Sequence, residues 1–229
     1  MIVAIDGPSA SGKSSTARAV AKALGFAHLD SGALYRGVTL VALQELGFPS
    51  PIAGLTPEQV RTVLEAADRL KLELHPAGEG FSVRLRGKSV DRPIRSAEVT
   101  RSVSAVSAVA AIRDWVNRRL RDLSRGGQSL VVDGRDIGTV VFPYAELKVY
   151  LTASPEIRAR RRLLQIGESV DPDRVALEAE RLAARDAADQ SRPVAPLRPA
   201  TDAILLDGSD LSLEMQVQRI SDLAHKRQG

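Results

Sequence analysis

Ile2-Val3-Ala4-Ile5-Asp6-Gly7-Pro8-Ser9-Ala10-Ser11-Gly12-Lys13-Ser14 is the stretch on which the fold turns. Its first four residues are apolar with nothing polar between them, the pattern of a strand buried on both faces, as in a parallel sheet. Gly7 to Ser14 then fits G-x-x-x-x-G-K-[ST], and the residues after it have a helical pattern over 13–24. A glycine-rich loop between a buried strand and a helix lets backbone N–H groups converge on phosphate oxygens, with the positive end of the helix dipole behind them. Lys13 is placed to reach the β- and γ-phosphates of a nucleoside triphosphate, and the Ser14 hydroxyl to ligate Mg²⁺.

Outward from this loop, short apolar runs recur at 26–29, 129–132, 147–151 and 203–206, separated by helical patterns. Five such strands alternating with helices predict an α/β fold of the P-loop NTPase type, a five-stranded parallel sheet flanked by helices. Helices are expected over 34–46, 105–123 and 211–226. The texture differs over roughly 50–95. Thr56-Pro57-Glu58 reads as a helix start. Leu70, Leu72 and Leu74, then Phe81, Val83 and Leu85, alternate with polar residues around Gly78-Glu79-Gly80, the signature of a half-exposed hairpin. That stretch reads as a small α+β insert.

Composition narrows the chemistry. The 229 residues are 44% hydrophobic and 26% charged, enough for a core and too balanced for disorder. Zero Cys excludes disulfide scaffolds, Cys-ligated metals and thiol nucleophiles, and three His argue against a multi-His metal site. His28, His75 and His225 are isolated, and structural or exposed roles are expected of them. Arginine outnumbers lysine 26 to 6 at a net charge of +4, and its planar fork suits phosphate. Aromatics at 3% leave little for stacking on nucleic acid, so a nucleic-acid-dependent ATPase is disfavoured and no nucleic-acid partner is expected. The apolar runs are too short to span a bilayer, and MIVAIDG lacks the basic flank and long apolar core of a signal peptide; a cytoplasmic protein without a membrane partner is expected. An N-K-x-D guanine motif is missing from the sequence.

Two further segments leave strands at the carboxyl end, where open α/β sheets bind ligands. They are Leu29-Asp30-Ser31-Gly32-Ala33-Leu34-Tyr35-Arg36 and the run from Asp133-Gly134-Arg135-Asp136 to Phe142-Pro143. Asp30 and Asp133 each either cap a turn or organise Mg²⁺ through water. Together with Ser191-Arg192-Pro193-Val194-Ala195-Pro196-Leu197, these segments closely resemble the bacterial cytidylate (CMP) kinases, over nearly the whole chain. The resemblance implies transfer of the γ-phosphoryl of ATP to CMP or dCMP with Mg²⁺; a P-loop kinase of another small acceptor is the alternative. It implies ATP contacts from Gly7, Pro8, Ser9, Ala10, Ser11, Gly12, Lys13, Ser14, Ser15, Arg158 and Arg161, the arginines lying in a stretch that resembles a mobile lid. It implies catalytic roles for Lys13, Arg135 and Arg162. For CMP it implies Arg36 and Arg135 at the phosphate, Ser31, Arg113, Asp136 and Arg192 around cytosine, and Ser104, Arg185 and Asp189 at the sugar. The matching organisation is a kinase core at 1–37 and 100–229, a nucleoside-monophosphate-binding region with its insert at 38–99, and a lid at 156–176. A monomer is expected.

Overall fold

The computed structural model describes residues 1–228. In chain order the elements begin with β1 (Ile2–Asp6), α1 (Lys13–Leu24), β2 (Ala27–Asp30) and α2 (Ser31–Leu40). There follow α3 (Pro57–Arg69), β3 (Glu73–Ala77), β4 (Gly80–Leu85), β5 (Lys88–Ser89), α4 (Ala97–Ser107) and α5 (Ala110–Ser124). The last group is β6 (Leu130–Gly134), β7 (Leu147–Thr152), α6 (Pro155–Gln165), α7 (Pro172–Gln190), β8 (Ile204–Asp207) and α8 (Leu213–Gln228). The chain divides into two compact units, Met1–His28 with Gln128–Gly229, and Leu29–Gly127.

In the first unit the strand order is β2-β6-β1-β7-β8, with β2 crossing the division. β1 pairs in parallel with β6 (Ile2 opposite Leu130) and β7 (Val3 opposite Leu147), and β7 with β8 (Val149 opposite Ile204). The uninterrupted apolar runs are explained by burial on both faces: Val3, Ile5, Val131, Val149 and Leu151 pack with Ala17 and Val20 of α1 and Ile220 and Ala224 of α8. β1 is the central strand, so the loop after it emerges at the middle of the sheet. The α/β architecture expected from the sequence, a mostly parallel sheet flanked by helices, is therefore present.

In the second unit, α3 opens on Thr56. Its Oγ1 accepts from Gln59 N (3.3 Å) while Gln59 Oε1 accepts from Thr56 N (2.9 Å), a reciprocal capping box. The antiparallel hairpin is β3–β4, Glu73 opposite Arg84, with the turn at Gly78 in the left-handed region (φ 55°). Leu70 and Leu72 precede the strand and are buried.

Two helices differ from expectation. The helix expected over 34–46 starts at Ser31 and gives way to a π-helical turn at Val41–Glu45. The single helix expected over 105–123 is two, α4 and α5, because Val109 is extended (φ −77°, ψ 121°) and restarts the helix. No glycine or proline marks that break.

Candidate active site

Gly7 follows β1 so closely that a Cβ there would lie 2.1 Å from the Leu151 carbonyl oxygen, so no other residue fits without moving β7. Gly12 takes φ 94°, the left-handed conformation that turns the chain into α1. The loop is crosslinked from three directions within its unit. Lys13 Nζ donates to Pro8 O (3.0 Å). Arg135, from the loop after β6, donates to Gly7 O (3.0 Å), Ser9 Oγ (2.9 Å) and Asp189 Oδ2 (3.0 Å). Asp186 accepts from Ser9 N (2.9 Å) and from Arg158, whose guanidinium also reaches Ser9 O (3.0 Å). Arg161 donates to Ser11 O (3.2 Å) and Gly208 O (2.6 Å). The other loop residues follow the expected path, with Ala10 at φ 58°, Ser11 buried and Ser15 exposed.

Burial, with Arg135 and Arg185 adding positive charge nearby, pushes Lys13 down to about 7. Asp133 and Asp186 offset only part of this, so the buried ammonium gains from further negative charge such as a polyphosphate supplies. At the foot of the loop Ser14 Oγ donates to Asp133 Oδ2 (2.5 Å), and His28 Nε2 donates to the other oxygen, Oδ1 (2.8 Å). Burial works to raise the Asp133 carboxyl, but the His28 and Ser14 hydrogen bonds and Lys13 outweigh it and hold the group below the usual carboxylate range. His28, for which the sequence suggested a structural or an exposed role, is thus a buried part of this cluster.

Asp6 and Asp186 are absent from the sequence-based set. Asp6 Oδ1 and Oδ2 each accept one backbone N–H, from Ile137 and Gly138 (both 2.8 Å), fixing the loop that carries Arg135 and Asp136. Burial pushes Asp6 up to about 6 against those two bonds. A carboxylate directly after a four-residue buried strand was the available signal. For Asp186 the signal was its place one turn before Asp189 on a helix already carrying Arg185.

Asp136 is buried and leads a π-helical turn, Ile137–Val141. Arg192 donates to Asp189 O (3.2 Å) and Ala195 O (3.1 Å), and Arg185 is half-buried on α7. Arg162 differs from its neighbours on α6: it bonds Gln165 Oε1 (2.9 Å) at the surface.

The second unit carries the remaining expected residues. Ser31 is the buried first residue of α2. Arg36 donates to Thr100 Oγ1 (2.9 Å), and Asp30 accepts from Arg95 (3.4 Å). Arg113 is buried, donates to Ser107 O (2.9 Å) and lies 5.3 Å from the Tyr35 ring centre. Ser104 O accepts from Ser107 Oγ (3.1 Å).

Among the described residues there is no cluster of three or more His, Cys, Asp or Glu able to hold a metal. The Ser14–Asp133 oxygen pair nonetheless suits Mg²⁺, which is commonly held by one or two protein oxygens while phosphates and water complete its shell. No helix among the described residues is long and apolar enough to cross a membrane.

A family model described as cytidylate kinase matches residues 3–226. A cytidylate kinase of Mycobacterium avium is 41% identical over 99% of this chain and 96% of that protein. One from Nocardia farcinica is 43% identical over 96% of this chain and 92% of that protein. A third, from Pseudomonas syringae pv. tomato, is 42% identical over 96% and 93%.

Proposed function

The chain belongs to the cytidylate kinase family, and on that premise we propose how its residues carry the γ-phosphoryl group of ATP to CMP or dCMP. The observation that carries the proposal is Arg135. One guanidinium bonds both the phosphate loop, at Gly7 and Ser9, and Asp189, so a donor-side element and an acceptor-side residue share it.

The chemistry asks little of acid–base catalysis. A phosphate monoester has a second pKa near ~6, so the attacking CMP phosphate is already largely a dianion at neutral pH. What must be supplied is charge cancellation and alignment. The loop from Gly7 to Ser15 and Lys13 hold the ATP phosphates. Arg36 and Arg135 hold the CMP phosphate, and Arg158, Arg161 and Arg162 close over the transferred group from a lid at 156–176, excluding water. Ser31, Arg113, Asp136 and Arg192 surround cytosine in a monophosphate-binding region that includes 38–99, and Ser104, Arg185 and Asp189 the sugar. Mg²⁺ would be held by Ser14 directly and by Asp133 and Asp30 through water, offsetting phosphate charge. The protein acts as a cytoplasmic monomer.

Lys13 is where electrostatics support this assignment. A group pushed to about 7 by burial and neighbouring cations regains full charge when triphosphate oxygens arrive, so binding and ionisation reinforce each other.

Cytosine reading gives the test. Its pairing edge offers an amino donor, which a carboxylate accepts, and two acceptors, which guanidinium groups serve. Uracil turns an oxygen toward the carboxylate instead, and a buried acceptor left unpaired is strongly disfavoured. Asp136→Asn should lower kcat/KM for CMP by roughly 10²-fold and narrow the CMP-to-UMP preference, since an amide can donate to the uracil oxygen. Steady-state kinetics with both acceptors checks this. Equal losses for CMP and UMP with an unchanged ratio would mean that Asp136 only shapes its loop.

A further inference from the structure

We propose that His28 is a positioning residue for metal binding, setting the Asp133 carboxylate so that its second oxygen meets Ser14. The inference rests on the assignment of Ser14 and Asp133 to Mg²⁺ made above and concerns how this chain keeps that pair in place. Three side chains form one line: His28 Nε2 to Asp133 Oδ1 at 2.8 Å, then Asp133 Oδ2 to Ser14 Oγ at 2.5 Å. His28 and Asp133 are both buried. A carboxylate oxygen only accepts, so Nε2 is the donor of this pair.

The geometry explains why such a donor matters. A carboxylate at a strand end rotates about χ2 with a broad preference, and its two oxygens are interchangeable unless something distinguishes them. His28 does so by occupying Oδ1, which leaves Oδ2 for Ser14 and for whatever Ser14 ligates. Groups that orient a metal-binding side chain from behind typically change metal affinity by ~10–100-fold when removed. Local sequence explains the placement. β2 runs only from Ala27 to Asp30 and lies beside β6, so an alternate residue of a four-residue strand meets the end of its neighbour.

The test is calorimetric titration of ADP into the purified protein across a Mg²⁺ series, for wild type, His28→Leu and His28→Gln, with thermal melting as a check on folding. Gln is chosen because its Nε2 amide can replace the imidazole donor. Wild type should bind ADP more tightly as Mg²⁺ rises. His28→Leu should need about 10-fold more Mg²⁺ for the same effect while its Mg²⁺-free ADP affinity stays within a few-fold. His28→Gln should recover most of the difference. A His28→Leu protein with the wild-type Mg²⁺ dependence overturns the positioning role, as does failure of His28→Gln to recover it while melting normally. If His28→Leu does not fold, His28→Asn, whose shorter amide stops short of Asp133 Oδ1, takes its place in the same comparison with His28→Gln. If Asp133→Asn, run alongside, leaves the Mg²⁺ dependence of ADP binding untouched, it is the metal assignment itself that fails.

Discussion

The first unit holds its basic residues in two ways. Around the phosphate loop, Lys13, Arg135 and Arg158 are buried or half-buried and bonded to backbone carbonyls, with Asp186 and Asp189 interleaved. On the outer faces of α6 and α7, Arg160, Arg162 and Arg174 pair at the surface with Glu156, Gln165 and Glu168, and Leu164, Ile166 and Leu177 stay exposed. Both regions are arginine-rich, yet only the first is crosslinked through groups removed from water. Charge in the first region is expensive to disturb; the exposed pairs of the second are screened and add little to stability.

The largest break in that contrast should come from Asp186→Ala. It leaves the Arg158 guanidinium buried without its carboxylate and Ser9 N without its acceptor. Removing one partner of a buried pair costs ~3–5 kcal/mol, to be read as a fall in urea midpoint. Lys13→Ala is next, with a folded protein and a turnover number reduced ~10²–10³-fold, or ~3–4 kcal/mol of transition-state stabilisation, measured by single-turnover kinetics.

A subtler test uses pH. Asp6 has its folded-state value raised from 3.8 to about 6 by burial. In that window the folded state binds the proton more tightly than the unfolded chain, so its contribution to stability is present below pH 3.8 and is lost as pH rises through about 6. Between about pH 4 and 7 the wild type should lose roughly 2 kcal/mol more than Asp6→Asn, compared by urea denaturation at each pH. Parallel curves would mean that the two backbone donors already stabilise the charged form fully. The smallest effect belongs to the second region: Arg160→Ala removes an exposed pair with Glu156 and should change stability by ~0–1 kcal/mol, with unchanged kinetics.

The comparison also explains what could be read from sequence. The phosphate loop was legible because local geometry requires glycine at Gly7 and favours it at Gly12, which fixes the motif's spacing. The hairpin at 73–85 was legible through its alternation. The break between α4 and α5 was not, since Val109 is extended with no glycine or proline beside it. The partnerships of Asp6, His28 and Asp186 were hidden for a different reason. They join positions separated by 131, 105 and 177 residues, and a pairwise contact of that span leaves no periodic trace in one sequence. A strand-end carboxylate announces only that something polar is needed there, while its partner is chosen by the sheet order.

The central claim is that this site phosphorylates cytidine monophosphates, and the most direct measurement is acceptor selectivity. Initial rates with ATP and Mg²⁺ should be measured for CMP, dCMP, UMP, AMP and GMP, with a hydroxyl-bearing metabolite panel and added DNA or RNA as further arms. CMP and dCMP should exceed every other acceptor, with UMP weaker by about 10²-fold or more and nucleic acid without effect on turnover. Preference for a purine nucleotide or a hydroxyl acceptor, or ATP turnover driven by nucleic acid, would contradict it.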